Sequence, residues 1–353
     1  MFAGLGGWTA RSFAHSVLLP SLASSRTRFR AKCLVNYSMT VNDNLLSKPI
    51  RRANFRLCNV SGHISEVFEI RAEAPKLHVL LVPGNPGVVL FYKDFVEFLY
   101  ELLEGTASVT AAIGHVSHSR KDLEHGRMFS LQEQIDHKID FIRQELQNIE
   151  IPILLVGHSI GSYISIEMFK KSPEKVKYCI GLYPFLTLNL QSTKQLFIGK
   201  IAKSQVLAAA LSYLIASLGW LPVQALRFVV RKSLGKSWSV NAVEAACSHL
   251  SQYHTMRNVL YMAMTEFREF SEAPPDWTFM RERKAQLTFL FGVDDHWGPL
   301  DLLEEISKQV PGIGVSIERE NHTHGFCCTE AGSLWVAQHV ANCIKKQTAC
   351  TNQ

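Results

Sequence analysis

Residues 151–162 have the sequence IPILLVGHSIGS. The apolar run after Pro152 predicts a strand buried on both faces. It leads without a break into a Gly-x-Ser-x-Gly motif, and an apolar-periodic helix follows. Strand, sharp turn and helix together indicate a nucleophile elbow with Ser159 at its tip, where Gly157 and Gly161 let the two backbones pass closely. The alternative is a glycine-flanked serine in an ordinary loop.

Strand and helix patterns alternate along most of the chain. This alternation, with short loops, predicts a mostly parallel central sheet with helices on both faces. The core is predicted to cover residues 51–183 and 284–346, followed by a tail at 347–353. Between the two parts of the core, residues 184–283 lose the alternation and are helical and strongly apolar. We therefore expect an inserted helical lid.

A serine nucleophile requires a base, and the base requires an acid that orients it. In α/β-hydrolases the acid and then the histidine follow the nucleophile in the chain. For the acid, in the loop after the next predicted strand, we choose Asp295, with Asp294 as the alternative. For the base, after the last strand, we choose His324, with His322 as the alternative. This order predicts an α/β-hydrolase fold with Ser159, Asp295 and His324 as its catalytic residues.

The negative charge that develops on an acyl oxygen needs two N–H donors. One would be the backbone N–H of Ile160, directly after the nucleophile. The other would come from the loop PGNPG at 83–87. Because proline has no backbone N–H, the amide of Asn85 is the candidate there. The alternative is a tight turn that binds nothing.

The remaining histidines are not assigned to catalysis. We expect His158 to be a packing or lid-contact residue, and His115, His118 and His125 to lie at the surface in one loop. Their spacing does not resemble a metal site, and the 8 cysteines form no C-x-x-C pair. We therefore predict no metal and no cofactor. Since the net charge is only +6 and no basic patch is interleaved with aromatics, a nucleic-acid partner is not expected.

The first 42 residues contain several arginines but no Asp or Glu. This composition is typical of a plastid or mitochondrial transit peptide. The alternative is a disordered extension. We exclude residues 1–50 from the predicted fold.

Residues 204–226 within the lid contain no charged side chain, and lysines and arginines flank them. The segment is close to the ~20 residues needed to span a bilayer. However, Gly219 and Pro222 interrupt it, and both ends must join one sheet. We favour a segment that enters a lipid monolayer and returns, with Tyr213 and Trp220 near the interface. The alternative is a buried pair of helices that covers the active site.

Five motifs occur along this chain in a characteristic order. They are VPGNPG at 82–87, QIDHK at 134–138, GHSIGSY at 157–163, DHWGP at 295–299 and HGF at 324–326. Together they resemble the lipid droplet-associated hydrolase family, over about residues 55–345. The resemblance implies that Ser159, Asp295 and His324 match the family's triad. It also implies that the apolar lid segment targets lipid droplets, and that the activity is serine-dependent lipid hydrolysis, weak toward sterol esters.

We therefore predict a serine hydrolase that cleaves esters of apolar lipids, such as sterol esters or acylglycerols, through an acyl-serine intermediate. The predicted partners are the lipid substrate and the surface of a lipid droplet or of the endoplasmic reticulum. A plastid or mitochondrial location is the alternative if the N-terminus is a transit peptide. The alternative functions are acyl transfer or thioester hydrolysis on the same triad, and a non-catalytic droplet-surface protein. A serine at the elbow, where epoxide hydrolases and dehalogenases of this fold have aspartate, argues against those enzymes.

Overall fold

A computed structural model describes residues 52–103, 108–147 and 150–351. The predicted N-terminal extension, residues 1–50, thus lies outside the described residues. The strands are β1 Arg52–Val60, β2 His63–Arg71, β3 Leu77–Val82, β4 Ser108–Ile113, β5 Ile153–His158, β6 Val176–Leu182, β7 Leu287–Gly292 and β8 Gly314–Glu318. The α-helices are α1 Lys93–Leu102, α2 Leu131–Glu145, α3 Ile160–Lys171, α4 Thr193–Lys203, α5 Gln205–Leu218, α6 Val223–Ser233, α7 Val240–Ala245, α8 Tyr253–Glu272, α9 Trp277–Glu282, α10 Leu300–Gln309 and α11 Glu330–Thr351.

The strands form one sheet in the order β1-β2-β4-β3-β5-β6-β7-β8. Strand β2 pairs antiparallel with β1 and with β4, and all the other neighbours are parallel. The register of β3 with β5 places Val82 opposite Gly157. Since both strands end there, the loop after β3 lies beside the turn after β5. The sheet thereby brings the predicted oxyanion loop to the predicted nucleophile.

The central strands are apolar throughout because helices cover both faces of the sheet. In β3, Val79 and Leu81 belong to the core on one face, while Leu80 and Val82 belong to the core on the other. Successive side chains of a strand point to opposite faces, so a strand buried on both faces must be apolar at every position. This is why short continuous apolar runs predicted these strands.

The segment between β6 and β7 contains α4 to α9 and a short π-helix, Ala246–Leu250. Helix α8 packs against α2, α4 and α5, and so joins this segment to the sheet domain. The apolar stretch 204–226 forms α5, a turn and the start of α6. Most of α5 is at the surface, since its buried residues are only Ala208 and Ser212. Helix α5 therefore presents most of its side chains at the surface of the lid.

No helix in the described ranges is by itself long and apolar enough to cross a membrane. Helices α4 and α5 would satisfy the length and composition together, but a bend of 99° separates their axes.

The C-terminal helix is longer than predicted. Helix α11 continues to Thr351, so most of the predicted tail at 347–353 is helical. The pattern of apolar residues weakens after Ile344, which explains the shorter prediction.

Candidate active site

Ser159 lies at the turn between β5 and α3. Its φ is 57° and its ψ is −125°, a conformation that residues other than glycine rarely adopt. A Cβ on Gly157 would overlap the backbone of Gly161, and a Cβ on Gly161 would overlap the carbonyl oxygen of Val82. The elbow can therefore form only with glycine on both sides of the serine.

Ile160, the first predicted oxyanion donor, is the first residue of α3. The N–H groups in the first turn of a helix have no partner within the helix, and the helix dipole is positive there. The loop after β3 approaches the same point, since a Cβ on Gly84 would lie 3.0 Å from the Cβ of Ser159. Backbone N–H groups of two separate segments thus lie close to the serine.

Asp295 and His324 are joined by a hydrogen bond of 2.8 Å between Oδ2 and Nδ1. The other carboxylate oxygen of Asp295 accepts the backbone N–H of Trp297 at 2.9 Å. The alternative residues Asp294 and His322 do not form this pair. Asp294 is exposed, and the ring of His322 packs against Trp335 with 5.8 Å between the ring centroids. The structure therefore pairs the acid and the histidine that we chose.

Ser159 and His324 line one small cavity. The other residues lining it are Gly84, Asn85, Pro86, Phe91, Tyr92, His158, Gly325, Cys327 and Cys328. Within the described ranges, no hydrogen bond joins Ser159 Oγ to the His324 ring, whose Nδ1 is bonded to Asp295. In hydrolases such a bond often tightens only in the complex with substrate. The geometry leaves His324 Nε2 as the nitrogen that can serve as a base.

Asn85 is held by the lid through its side chain. Its Nδ2 donates to the carbonyl of Val259 at 2.9 Å and to Oε1 of Glu266 at 3.0 Å, both on α8. Burial raises the pKa of Glu266 to about 8, so this carboxyl is mostly protonated at neutral pH. Because the side-chain amide is engaged there, the backbone N–H is the donor that Asn85 has for the oxyanion.

A chain of hydrogen bonds links the two loops on either side of the serine. Gly84 N–H donates to Tyr92 Oη at 2.8 Å, and Tyr92 Oη lies 2.7 Å from His158 Nδ1. His158 Nε2 lies 2.9 Å from the carbonyl oxygen of His324. Since a carbonyl can only accept, His158 carries its proton on Nε2, and its Nδ1 accepts from the Tyr92 hydroxyl.

We call this chain Gly84–Tyr92–His158–His324 the relay. Burial, and the nearby His324 ring, lower the pKa of His158 well below its usual value. Burial also raises the pKa of Tyr92 well above its usual value. Both side chains are therefore neutral at physiological pH, and His158 is not a second base. The sequence placed His158 as a packing residue but gave no sign of Tyr92, which lies 66 residues away from it.

The expectation that His115 and His118 lie at the surface is wrong. Both are about 1% exposed, and only His125 is exposed as predicted. The loop after β4 folds inward, where His118 Nδ1 accepts the backbone N–H of Gly87 at 2.9 Å. A Cβ on Gly87 would overlap the ring of His115. The two histidines therefore support the oxyanion loop from beneath.

A buried lysine lies next to these histidines. Lys138 Nζ donates to the carbonyl of Gly114 at 2.7 Å, and burial lowers its pKa to about 7. Burial and the nearby Lys138 lower the pKa of His118 to about 3. His118 is thus neutral, and its Nδ1 can accept the hydrogen bond from the Gly87 N–H. In the part of the chain that the structure describes, no group of three or more metal-ligating side chains occurs.

The order of the strands, the elbow and the hydrogen-bonded Asp–His pair define an α/β-hydrolase. Solved structures of similar fold include a haloalkane dehalogenase from Bradyrhizobium elkani, with a TM-score of 0.62, 14% identity and coverage of 84% of this chain and 99% of that chain. The peroxisomal α/β-hydrolase of Saccharomyces cerevisiae has a TM-score of 0.61 at 14% identity, covering 86% of this chain and 91% of that one. At such identities the likeness shows the fold alone.

The family follows from sequence comparison. A model of the family described as lipid-droplet associated hydrolase matches residues 75–327, and the chain belongs to this family. It is 27% identical over 273 residues to the lipid droplet-associated hydrolase of Dictyostelium discoideum, covering 74% of this chain and 86% of that protein. It is 28% identical over 270 residues to the lipid droplet-associated hydrolase of Homo sapiens, covering 71% of this chain and 80% of that protein. The resemblance seen in the five motifs and the predicted fold class are both confirmed.

Proposed function

We propose that this chain is a serine hydrolase that cleaves esters of apolar lipids at the surface of lipid droplets. The observation that carries the proposal is the hydrogen bond of 2.8 Å between Asp295 and His324 in a cavity that Ser159 also lines. The relatives named lipid droplet-associated hydrolase support both the reaction and the location.

In the first half of the reaction, Ser159 Oγ forms a bond to the acyl carbon and gives its proton to His324 Nε2. The carbonyl oxygen becomes negatively charged and accepts the N–H groups of Ile160 and Asn85. The bond from the acyl carbon to the alcohol oxygen then breaks, and His324 donates the proton to the leaving alcohol. Asp295 holds the Nδ1–H tautomer and stabilises the charged imidazole.

In the second half, a water oxygen bonds to the acyl carbon and gives a proton to His324. The bond between the acyl carbon and Ser159 Oγ then breaks, Oγ recovers the proton, and the carboxylic acid leaves. Water is the only co-reactant in this sequence, so no cofactor is needed.

The surface of the lid supports a location on lipid. Eight large apolar side chains within 204–226 are more than a third exposed, and we call them the lid patch. They are Val206, Leu207, Tyr213, Leu214, Leu218, Trp220, Leu221 and Val223. Burying one such side chain fully is worth about 1.5–3 kcal/mol, so inserting three of them would supply roughly 5 kcal/mol or more. Exposed apolar surface of this kind marks a site of contact with lipid or protein.

The proposal is tested with purified wild type and Ser159→Ala on isolated lipid droplets. We expect wild type alone to release free fatty acid together with an equal amount of the alcohol. Equal release by Ser159→Ala would contradict the proposal. Transfer of the acyl group to an added alcohol, with little free acid, would instead assign the triad to acyl transfer.

A further inference from the structure

A second, apolar cavity adjoins the candidate active site, with a volume of about 160 Å³. Helices α5, α6 and α8 and the π-helix 246–250 form its walls. Its lining residues are Pro86, Ile215, Leu218, Leu226, Val229, Val230, Ser233, Leu234, Ala246, Leu250, Ser251, Met256 and Val259. We call it the lid cavity.

The lid cavity offers no free donor to a polar ligand. Its two polar side chains are Ser233 and Ser251, and their hydroxyls donate to the carbonyls of Val229 and Cys247 in their own helices. A polar group buried against such walls would lose its hydrogen bonds to water and gain none, so the walls favour an apolar ligand. The chemistry of the walls therefore selects a hydrocarbon.

The lid cavity begins where the oxyanion loop ends. Pro86 lines both this cavity and the cavity that contains Ser159. Val259, which also lines the lid cavity, accepts a hydrogen bond from the Asn85 side chain through its carbonyl oxygen. Asn85 directly precedes Pro86 in the chain. An acyl group bonded to Ser159, with its oxygen at the Asn85 N–H, would therefore lie close to the lid cavity.

We propose that the lid cavity binds the acyl chain of the ester, an assignment that rests on the proposed serine hydrolase function. The chain passes Pro86 and extends between α6 and α8. The same helices α5 and α6 carry the lid patch on their outer side, with Leu214 and Val223 exposed. Leu218 belongs to both the lid patch and the lining of the lid cavity, so the cavity adjoins the apolar outer surface of the lid.

Another cavity lies elsewhere in the lid, lined by Leu188, Leu196, Phe267, Lys200 and Lys203 among others. It shares no lining residue with the cavity of Ser159, and two ammonium groups border it. Crosslinks to its residues would therefore be distinguishable from crosslinks to the lid cavity.

The first test maps the chain directly in the wild-type protein. The probe is a hexyl fluorophosphonate with a diazirine at the end of its chain, which is short enough for the diazirine to stay in a cavity of about 160 Å³. Ser159 Oγ forms a bond to phosphorus, the P–F bond breaks, and fluoride leaves with the serine proton. Light then expels N₂ from the diazirine, and the carbene inserts into a nearby bond that peptide mass spectrometry locates.

We expect the crosslinks to fall on lid-cavity residues of α6 and α8, such as Val230 and Met256. Crosslinks at Leu196 or Phe267 would overturn the assignment while leaving the serine hydrolase intact. A protein that the probe does not label at Ser159 would overturn the proposed function itself.

The second test narrows the cavity with Val229→Trp on α6. The matched control is Val240→Trp on α7, an exposed position outside the cavity. We expect Val229→Trp to lower the ratio of kcat/KM for a hexadecanoate ester to that for a butyrate ester of the same alcohol by about tenfold or more, since a single methylene is worth about 10–200-fold in an apolar pocket. The control should keep the wild-type ratio.

An unchanged ratio in Val229→Trp would overturn the assignment. So would a loss confined to butyrate esters of long alcohols, because the alcohol would then occupy the cavity. If Val229→Trp does not fold, the crosslinks in the wild type decide alone.

Discussion

Tyr92→Phe removes one hydroxyl from the middle of the relay. The substitution leaves the ring in place but deprives the Gly84 N–H of its acceptor and His158 Nδ1 of its donor. Gly84 and His158 are both buried. A buried polar group without a partner costs about 1–3 kcal/mol, so two of them predict a loss of about 2–6 kcal/mol in the free energy of unfolding.

Part of this loss should appear in catalysis. With no hydroxyl at Tyr92, His158 Nδ1 has no donor, and the ring is held only by the bond from Nε2 to the His324 carbonyl. If about 1.4–2.7 kcal/mol of positioning energy is lost in the transition state, kcat falls tenfold to a hundredfold. KM for a short soluble ester should change little, because the ring of residue 92, which lines the cavity of Ser159, stays in place.

Three measurements check the reasoning: urea unfolding, kcat and KM on a soluble ester, and the ¹⁵N NMR signals of the His158 ring. The control is Tyr100→Phe on α1, which removes the same hydroxyl from a half-buried ring outside the relay. We expect Nε2 of His158 to carry the proton in wild type and in the control. A Tyr92→Phe protein with wild-type kcat and wild-type stability would refute the role of the relay.

Other expected outcomes concern the base, the lid and pH. His324→Ala should lower turnover by about a thousandfold or more, and His322→Ala much less; the reverse ranking in kcat would move the base by two residues. Leu214→Asp with Leu218→Asp should release a fluorescent fusion of residues 43–353 from droplets, because a charge at hydrocarbon depth costs about 2.5–3.5 kcal/mol; a fusion that stays bound would contradict the role of the lid patch. Glu266 binds its proton in the folded protein up to a pKa of about 8 but loses it near pH 4.5 when unfolded. Stability should therefore fall as pH rises between these values, by up to about 1.4 kcal/mol per pH unit. Glu266→Gln should abolish this dependence, and parallel urea-unfolding profiles of the two proteins would refute it.

The sheet domain could be predicted because its strands and helices carry periodic patterns of apolar residues. Such a pattern can be recognised within one short stretch of sequence. Val79 to Val82 are apolar at every position because both faces of β3 are covered. Gly157 and Gly161 mark the elbow because a Cβ at either position would overlap backbone. The pairing of Asp295 with His324 was reached from their order after two strands, and their roles in catalysis stay predictions.

Other features depend on contacts between distant parts of the chain, which no local pattern contains. His115 and His118 look like surface residues in a polar loop, and their burial follows from how that loop folds beneath Gly87. The relay joins residues that lie up to 240 positions apart, between Gly84 and His324. The exposure of α5 could not be predicted either, since the same apolar composition suits a buried helix and one that contacts lipid.

The central claim is that Ser159 forms the covalent intermediate. The most direct measurement treats the full-length protein with a fluorophosphonate and identifies the modified peptide by mass spectrometry, with Ser159→Ala as the matched variant. We predict one adduct per chain, on the peptide containing Ser159, and none in Ser159→Ala, which should unfold at the wild-type temperature. Equal labelling of the variant, or an adduct at another serine with Ser159 unmodified, would contradict the account.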